Sequence, residues 1–258
     1  MSDAQRPQQT GPELTFVSLF PSLLNSNGDA ENARVLARRA EWAGATARVV
    51  KVEDAAELPD RVDAVVIGSG SDNELEVARD KLRTLLEELR RWGTEGVPIL
   101  AVGTGWELLS HGIELAGANG APARAIEGIG ILPGRAVPRG ARVTDDLVVK
   151  TKFGRLVGFE NHARDYNHAE ASPLGRVLFG SGNGRDSGQE GVVMGDVFGT
   201  HLHGPVLAKN PGLADELLGR VFRRAGLEYV RGERAASVDE IARAARNQIA
   251  VRLGLESE

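Results

Sequence analysis

The chain of 258 residues contains no cysteine. That absence excludes disulfides, thiolate zinc sites and cysteine redox chemistry, and it leaves no thiol of the chain's own to act as a nucleophile. Long apolar runs are also missing. None approaches the roughly 20 residues needed to span a bilayer, so no membrane insertion is expected. No block of lysine and arginine stands out from its acidic surroundings, and the formal charge of −5 argues against general nucleic-acid binding. The first residues, Met1 to Pro12, are polar and carry no apolar stretch of the kind that begins a secretory signal. A short disordered lead-in and a cytoplasmic protein are the expectation. There are no internal repeats.

What is present is a regular alternation of strand-like and helix-like segments. Leu14–Phe20, Ala45–Val52, Ala64–Ile67 and Val97–Val102 are short and apolar, with β-branched residues prominent. Helical patterns over Ala30–Gly44, Glu74–Trp92 and Thr104–Leu115 lie between and after them. Leu75, Ala78, Leu82, Leu85, Leu86 and Leu89 recur at helical spacing in the second of these, and Asp29 is a candidate N-cap for the first. A βαβαβα order implies an α/β fold with a mainly parallel sheet and helices on both faces. From Gly128 to Thr200 the pattern changes to glycines and short β-like runs (Arg142–Val149, Arg155–Glu160, Gly175–Phe179, Gln189–Met194, Val197–His201), which predicts an antiparallel extension. Two helices close the chain. Asn210 and Pro211 mark the start of one, and Ser237-Val238-Asp239-Glu240 reads as a capping box opening the other. Val238, Ile241, Ala245 and Ile249 form a stripe that would dock on the core, the expected case, or on a partner. The expected division is a lead-in over 1–12, a main domain over 13–230 and a helical extension over 231–258.

Polar and glycine-rich clusters follow the predicted strands, where an open parallel sheet has its ligand crevice. Ile67-Gly68-Ser69-Gly70-Ser71-Asp72 has the small residues that let backbone N–H groups converge on an oxyanion, although a ligand-free tight turn has the same composition. A dinucleotide fingerprint is excluded by its spacing. Ala101-Val102-Gly103-Thr104-Gly105-Trp106-Glu107-Leu108-Leu109 runs from a strand through a sharp turn into a helix. That is the build of a nucleophile elbow. Thr104 is a poor substitute nucleophile, because a one-residue shift turns its side chain elsewhere. Phe198-Gly199-Thr200-His201-Leu202-His203-Gly204-Pro205 places two histidines on one face of a strand, as a metal pair or as a general base. No carboxylate falls at a matching position for a metal. Gly158-Phe159-Glu160-Asn161-His162 is a fourth polar cluster.

Together with Gly128-Ile129-Gly130-Ile131-Leu132, Asn27-Gly28-Asp29 and Leu207-Ala208-Lys209-Asn210-Pro211, these segments resemble the GatD family of CobB/CobQ-like class I glutamine amidotransferases, from about Leu14 to Tyr229. The resemblance implies a flavodoxin-like amidotransferase fold, no cofactor and no metal. It also implies glutamine hydrolysis through a cysteine thioester, with ammonia passed to a MurT-like Mur-ligase homologue that amidates the D-glutamate of lipid II in peptidoglycan synthesis. Carried onto this chain, the family nucleophile falls on Gly103, the catalytic histidine on His203, the oxyanion loop on Gly68, Ser69 and Gly70, and a glutamine-holding arginine on Arg142. Trp106 and Glu107 also depart from the family, Glu107 placing a charge where a neutral amide is usual. The implied protein is a GatD-like subunit without cysteine-dependent glutaminase activity. The alternatives are an amidotransferase with a different nucleophile and a non-enzymatic small-molecule binding module.

Overall fold

A computed structural model describes residues 11–117, 122–169, 172–184 and 186–258, so the first ten residues of the expected lead-in lie outside it. The first half alternates as its sequence pattern predicts. β1 (Leu14–Leu19), α1 (Asn32–Trp42), β2 (Ala47–Val52), β3 (Ala64–Ile67), α2 (Leu75–Thr84), α3 (Leu86–Glu95), β4 (Ile99–Val102) and α4 (Thr104–Leu109) follow in order. The second half holds β5 (Gly112–Leu115), β6 (Arg124–Glu127), β7 (Arg135–Thr151), β8 (Gly154–Asn167), β9 (Gly175–Phe179), β10 (Gln189–Glu190), β11 (Val192–Met194) and β12 (Val197–Thr200). Helices α5 (Val206–Lys209), α6 (Pro211–Arg224) and α7 (Glu233–Arg252) complete the described chain.

Two sheets form. In the first the order is β11-β12-β4-β3-β1-β2, parallel except for β11 at one edge. Its four central strands, β12, β4, β3 and β1, are buried on both faces, and the period of two divides them cleanly. Val17, Leu19, Val65, Ile67, Ile99 and Ala101 pack toward α2, α3 and α4, while Leu14, Phe16, Ala64, Val66, Leu100 and Val102 pack toward α1 and α6. The second sheet, β10-β9-β7-β5-β6 with β8 paired to β7, supplies the antiparallel extension apart from a single parallel contact between β5 and β7, whereas the Val197–His201 run, expected in that extension, joins the first sheet as β12, parallel to β4. The long β7–β8 hairpin shifts register between Pro138 and Val143, and this irregularity holds Arg142.

Several local expectations are corrected. The elbow helix ends at Leu109 rather than Leu115, because the Ser110 hydroxyl donates to the Glu107 carbonyl and accepts from Gly112 N–H, turning the chain into β5. The segment Glu74–Trp92 is two helices that meet at Leu85. Asp29 does not cap α1; it lies in a 3-10 turn (Asp29–Glu31) with its carboxylate committed elsewhere. The Asn210 side chain bonds Val157 and the Val206 carbonyl instead of capping α6. The last helix opens at Glu233, so Ser237 is inside it. Its docking face is Ala235, Asp239, Ala242, Arg246 and Ala250, not the Val238–Ile249 stripe. Asp239 receives two hydrogen bonds from the buried Arg39 of α1, which sets the helix's rotation and leaves Ile241 70 % exposed. Among the described residues, no helix is long and apolar enough to cross a membrane.

Candidate active site

The polar clusters meet beyond the carboxyl ends of β1, β3, β4 and β12. β4 runs into Gly103, whose φ of 54° and ψ of −124° form the sharp, left-handed turn of an elbow before α4 begins at Thr104. Glycine adopts this conformation without strain. Gly103 N–H donates to the Thr200 carbonyl (2.9 Å), tying the turn to the end of β12. Gly105 is required on steric grounds, since a Cβ there would lie 2.3 Å from the Gly68 carbonyl oxygen.

His203 faces this turn. Its Nδ1 lies 3.0 Å from Asp29 Oδ2 and 3.1 Å from Asn27 Nδ2. A carboxylate only accepts, so the bond to Asp29 assigns the hydrogen to Nδ1 and leaves Nε2 as the basic nitrogen; the Asn27 amide nitrogen is then a neighbour of Nδ1 and not a donor to it. The other Asp29 oxygen accepts from Gly204 N–H (3.0 Å), and this pair of bonds fixes the ring. His203 Nε2 is buried and has no hydrogen-bond partner among the described residues. A base held by a carboxylate beside the Gly103 turn is the outstanding chemical feature of the site.

The loop after β3 closes the other side. Ser69 is buried, its hydroxyl 3.3 Å from the Thr104 hydroxyl and 3.4 Å from Thr104 N–H. Thr104 Oγ1 in turn accepts from Gly70 N–H at 2.6 Å. These hydrogen bonds direct Thr104 toward the loop rather than toward His203. A cavity of about 300 Å³ opens in front of these groups, with Arg142, Asn161, Glu107 and Arg164 among its walls. Arg142 reaches in from the hairpin irregularity and donates to Asn161 through Nε (2.8 Å to Oδ1) and Nη2 (3.3 Å to the carbonyl).

Glu107 is buried and its charge is matched. Arg164 donates to it at 2.9 Å through Nε, with Nη2 in an ion pair 2.8 Å from the same oxygen, and also pairs with Asp72 at 2.9 Å. Burial works to discharge Arg164, but Glu107 and Asp72 outweigh it and raise its pKa. Trp106 packs away from the cavity, stacked on Tyr166 at 4.0 Å and edge-on to His201 at 4.5 Å. His201 and His203 therefore diverge. His201 Nδ1 approaches Glu190 (3.4 Å), and its ring stacks on His162 at 4.1 Å. Among the described residues, no group of three His, Cys, Asp or Glu side chains is arranged to hold a metal ion. Behind the cavity, Glu160 accepts from Ser181 N–H, Gly182 N–H and His162 Nε2. Burial raises Glu190 above the usual carboxylate range, and burial, aided by His162, holds His201 well below its ordinary value.

Ser69, Gly70, Gly103 and Arg142 thus line one cavity, with His203 buried against Gly103 and Gly68 just before Ser69 in the same loop. Glu160 and Asp29 lay in segments the sequence singled out, but their partners, and the roles of Arg164 and Glu190, had no signal in local pattern. Asp29 lies 174 residues from His203, and its spacing read as a helix cap.

Comparison with known proteins agrees with this geometry. A model of the CobB/CobQ-like glutamine amidotransferase domain matches residues 21–211. The GatD subunit of the glutamine-hydrolyzing lipid II isoglutaminyl synthase of Staphylococcus aureus is 32% identical over 219 residues, covering 84% of this chain and 88% of that protein. The GatD subunit of Streptococcus pneumoniae is 29% identical, with 82% of each chain covered. The structure of PurLQS from Thermotoga maritima superimposes with a TM-score of 0.51 over 84% of this chain and 98% of that one, at 19% identity, which bears on the fold alone. The chain belongs to the CobB/CobQ-like glutamine amidotransferases, and within them to the GatD family.

Proposed function

We propose that this chain is a GatD-type subunit that no longer hydrolyses glutamine and acts through assembly with a MurT-like ligase in lipid II amidation. The observation that carries the reading is the glycine at the elbow of a chain without cysteine, facing an intact His203–Asp29 pair. Thiol-dependent hydrolysis needs a thiolate to form a bond to the amide carbon. The C–N bond then breaks, and ammonia leaves with the proton held by the histidine. Gly103 supplies no such atom, and a base without its nucleophile contributes little. Binding and oxyanion donors alone leave a rate orders of magnitude below that of a complete site. A subunit of this kind would support the ligase structurally while the ligase draws on free ammonia or another donor. The test is co-purification with a MurT-like partner, combined with glutaminase assay of the chain alone and in the complex. A stable complex without ammonia release supports the reading. Ammonia release that His203→Ala abolishes refutes it.

A further inference from the structure

The geometry points to Ser69 as a second determinant of silence: its hydroxyl, with that of Thr104, fills the elbow and takes up the oxyanion donors, so that restoring a thiol at position 103 does not by itself restore an amidotransferase centre. The inference rests on the proposed loss of the thiol at Gly103 and extends it to the surrounding groups.

A Cβ built on Gly103 falls 2.7 Å from Ser69 Oγ, 3.0 Å from Ser69 Cβ and 2.6 Å from His203 Cε1. The Ser69 side chain thus stands where a side chain at position 103 would project. Two backbone donors flank the same point. Thr104 N–H follows the elbow and Gly70 N–H belongs to the loop after β3, which are the positions that supply an oxyanion hole in elbow enzymes. Both are directed at the chain's own hydroxyls. Thr104 N–H approaches Ser69 Oγ (3.4 Å), and Gly70 N–H donates to Thr104 Oγ1 (2.6 Å). The two hydroxyls also lie 3.3 Å apart, joining the elbow to the loop. A substrate carbonyl oxygen entering this site meets donors that are already occupied. His203 is held by Asp29, whose other oxygen is itself held by Gly204 N–H, so the movable obstacle is Ser69.

The experiment compares full-length Gly103→Cys with Gly103→Cys/Ser69→Gly and Gly103→Cys/Ser69→Ala. Because the chain has no cysteine, the introduced thiol is the only one present, and its alkylation by iodoacetamide is unambiguous. Rates are measured from pH 5 to 9 on protein whose melting curve shows it folded. In the single variant the thiol is expected to react slowly and to titrate as an ordinary thiol. With Ser69→Gly it is expected to pair with His203, show a reactive plateau at acidic pH and alkylate faster there by about tenfold or more. Ser69→Ala, which removes the hydroxyl but keeps the loop's Cβ, is expected to fall between and serves if the glycine variant does not fold. Ammonia release from L-glutamine should rise by about 10²-fold from the single to the double variant, the worth of one oxyanion donor. Equal alkylation rates in single and double variants at every pH, whether fast or slow, would overturn the role given to Ser69. Failure of the underlying reading has a separate signature, ammonia release by the unsubstituted chain.

Discussion

At the scale of single residues, the site is a set of matched polar groups around the Gly103 turn. Asp29 serves both His203 Nδ1 and Gly204 N–H, so Asp29→Ala leaves two donors without acceptors. Urea unfolding should show a loss of about 2 kcal/mol or more. Gly103→Ala places a Cβ at positive φ and against Ser69 and His203, and a cost of about 1–3 kcal/mol is expected. Part of that cost should disappear when Ser69→Gly is present, which a double-mutant cycle measures directly. Glu107 is held by Arg164 on two nitrogens, and Glu107→Ala strands a buried guanidinium. A destabilisation of about 3 kcal/mol follows, moderated by Asp72. His201 has a folded pKa below its unfolded value, so the unfolded chain binds a proton that the folded one does not. Its contribution is present above pH 6.5 and is lost as the pH falls through that value toward the folded pKa. Glu190 is shifted upward and acts in the opposite sense, its contribution fading as the pH rises above the usual carboxylate range. His201→Phe should therefore flatten the slope of unfolding free energy against pH below 6.5, by up to about 1.4 kcal/mol per pH unit.

At the scale of elements, legibility followed the forces that fix each one. β1, β3 and β4 were readable because continuous apolar runs bury both faces, and no other arrangement satisfies them. The break between α4 and β5 was not, since Ile113 and Leu115 continue an apolar rhythm and the turn depends on hydrogen bonds of Ser110. The last helix was misread for a related reason. Apolar spacing put Val238 and Ile241 inward, whereas Arg39, pairing with Asp215 and Asp239, anchors the opposite face. Two contrasting substitutions separate these forces. Asp239→Ala should cost about 3 kcal/mol or more, as for a buried pair deprived of one partner. Ile241→Ala should change unfolding free energy by no more than about 0.5 kcal/mol, as for an exposed position.

At the scale of the whole molecule, the crevice gathers the ends of four strands, and the sequence placed Gly68–Gly70, Gly103 and His203 there because each follows an apolar strand of a parallel sheet. The pairing of His203 with Asp29 and of Arg164 with Glu107 came only with the fold, since polar partners far apart in sequence leave no periodic trace. The chain has the family's glutamine amidotransferase domain and no cysteine, with glycine at the elbow, and the proposed function rests on these facts together. The most direct measurement is ammonia release from L-glutamine by the purified chain, alone and with a MurT-like ligase. No release above the uncatalysed background, in either state, is the predicted result. Turnover that His203→Ala abolishes would contradict the account, because it would place a working nucleophile beside that histidine.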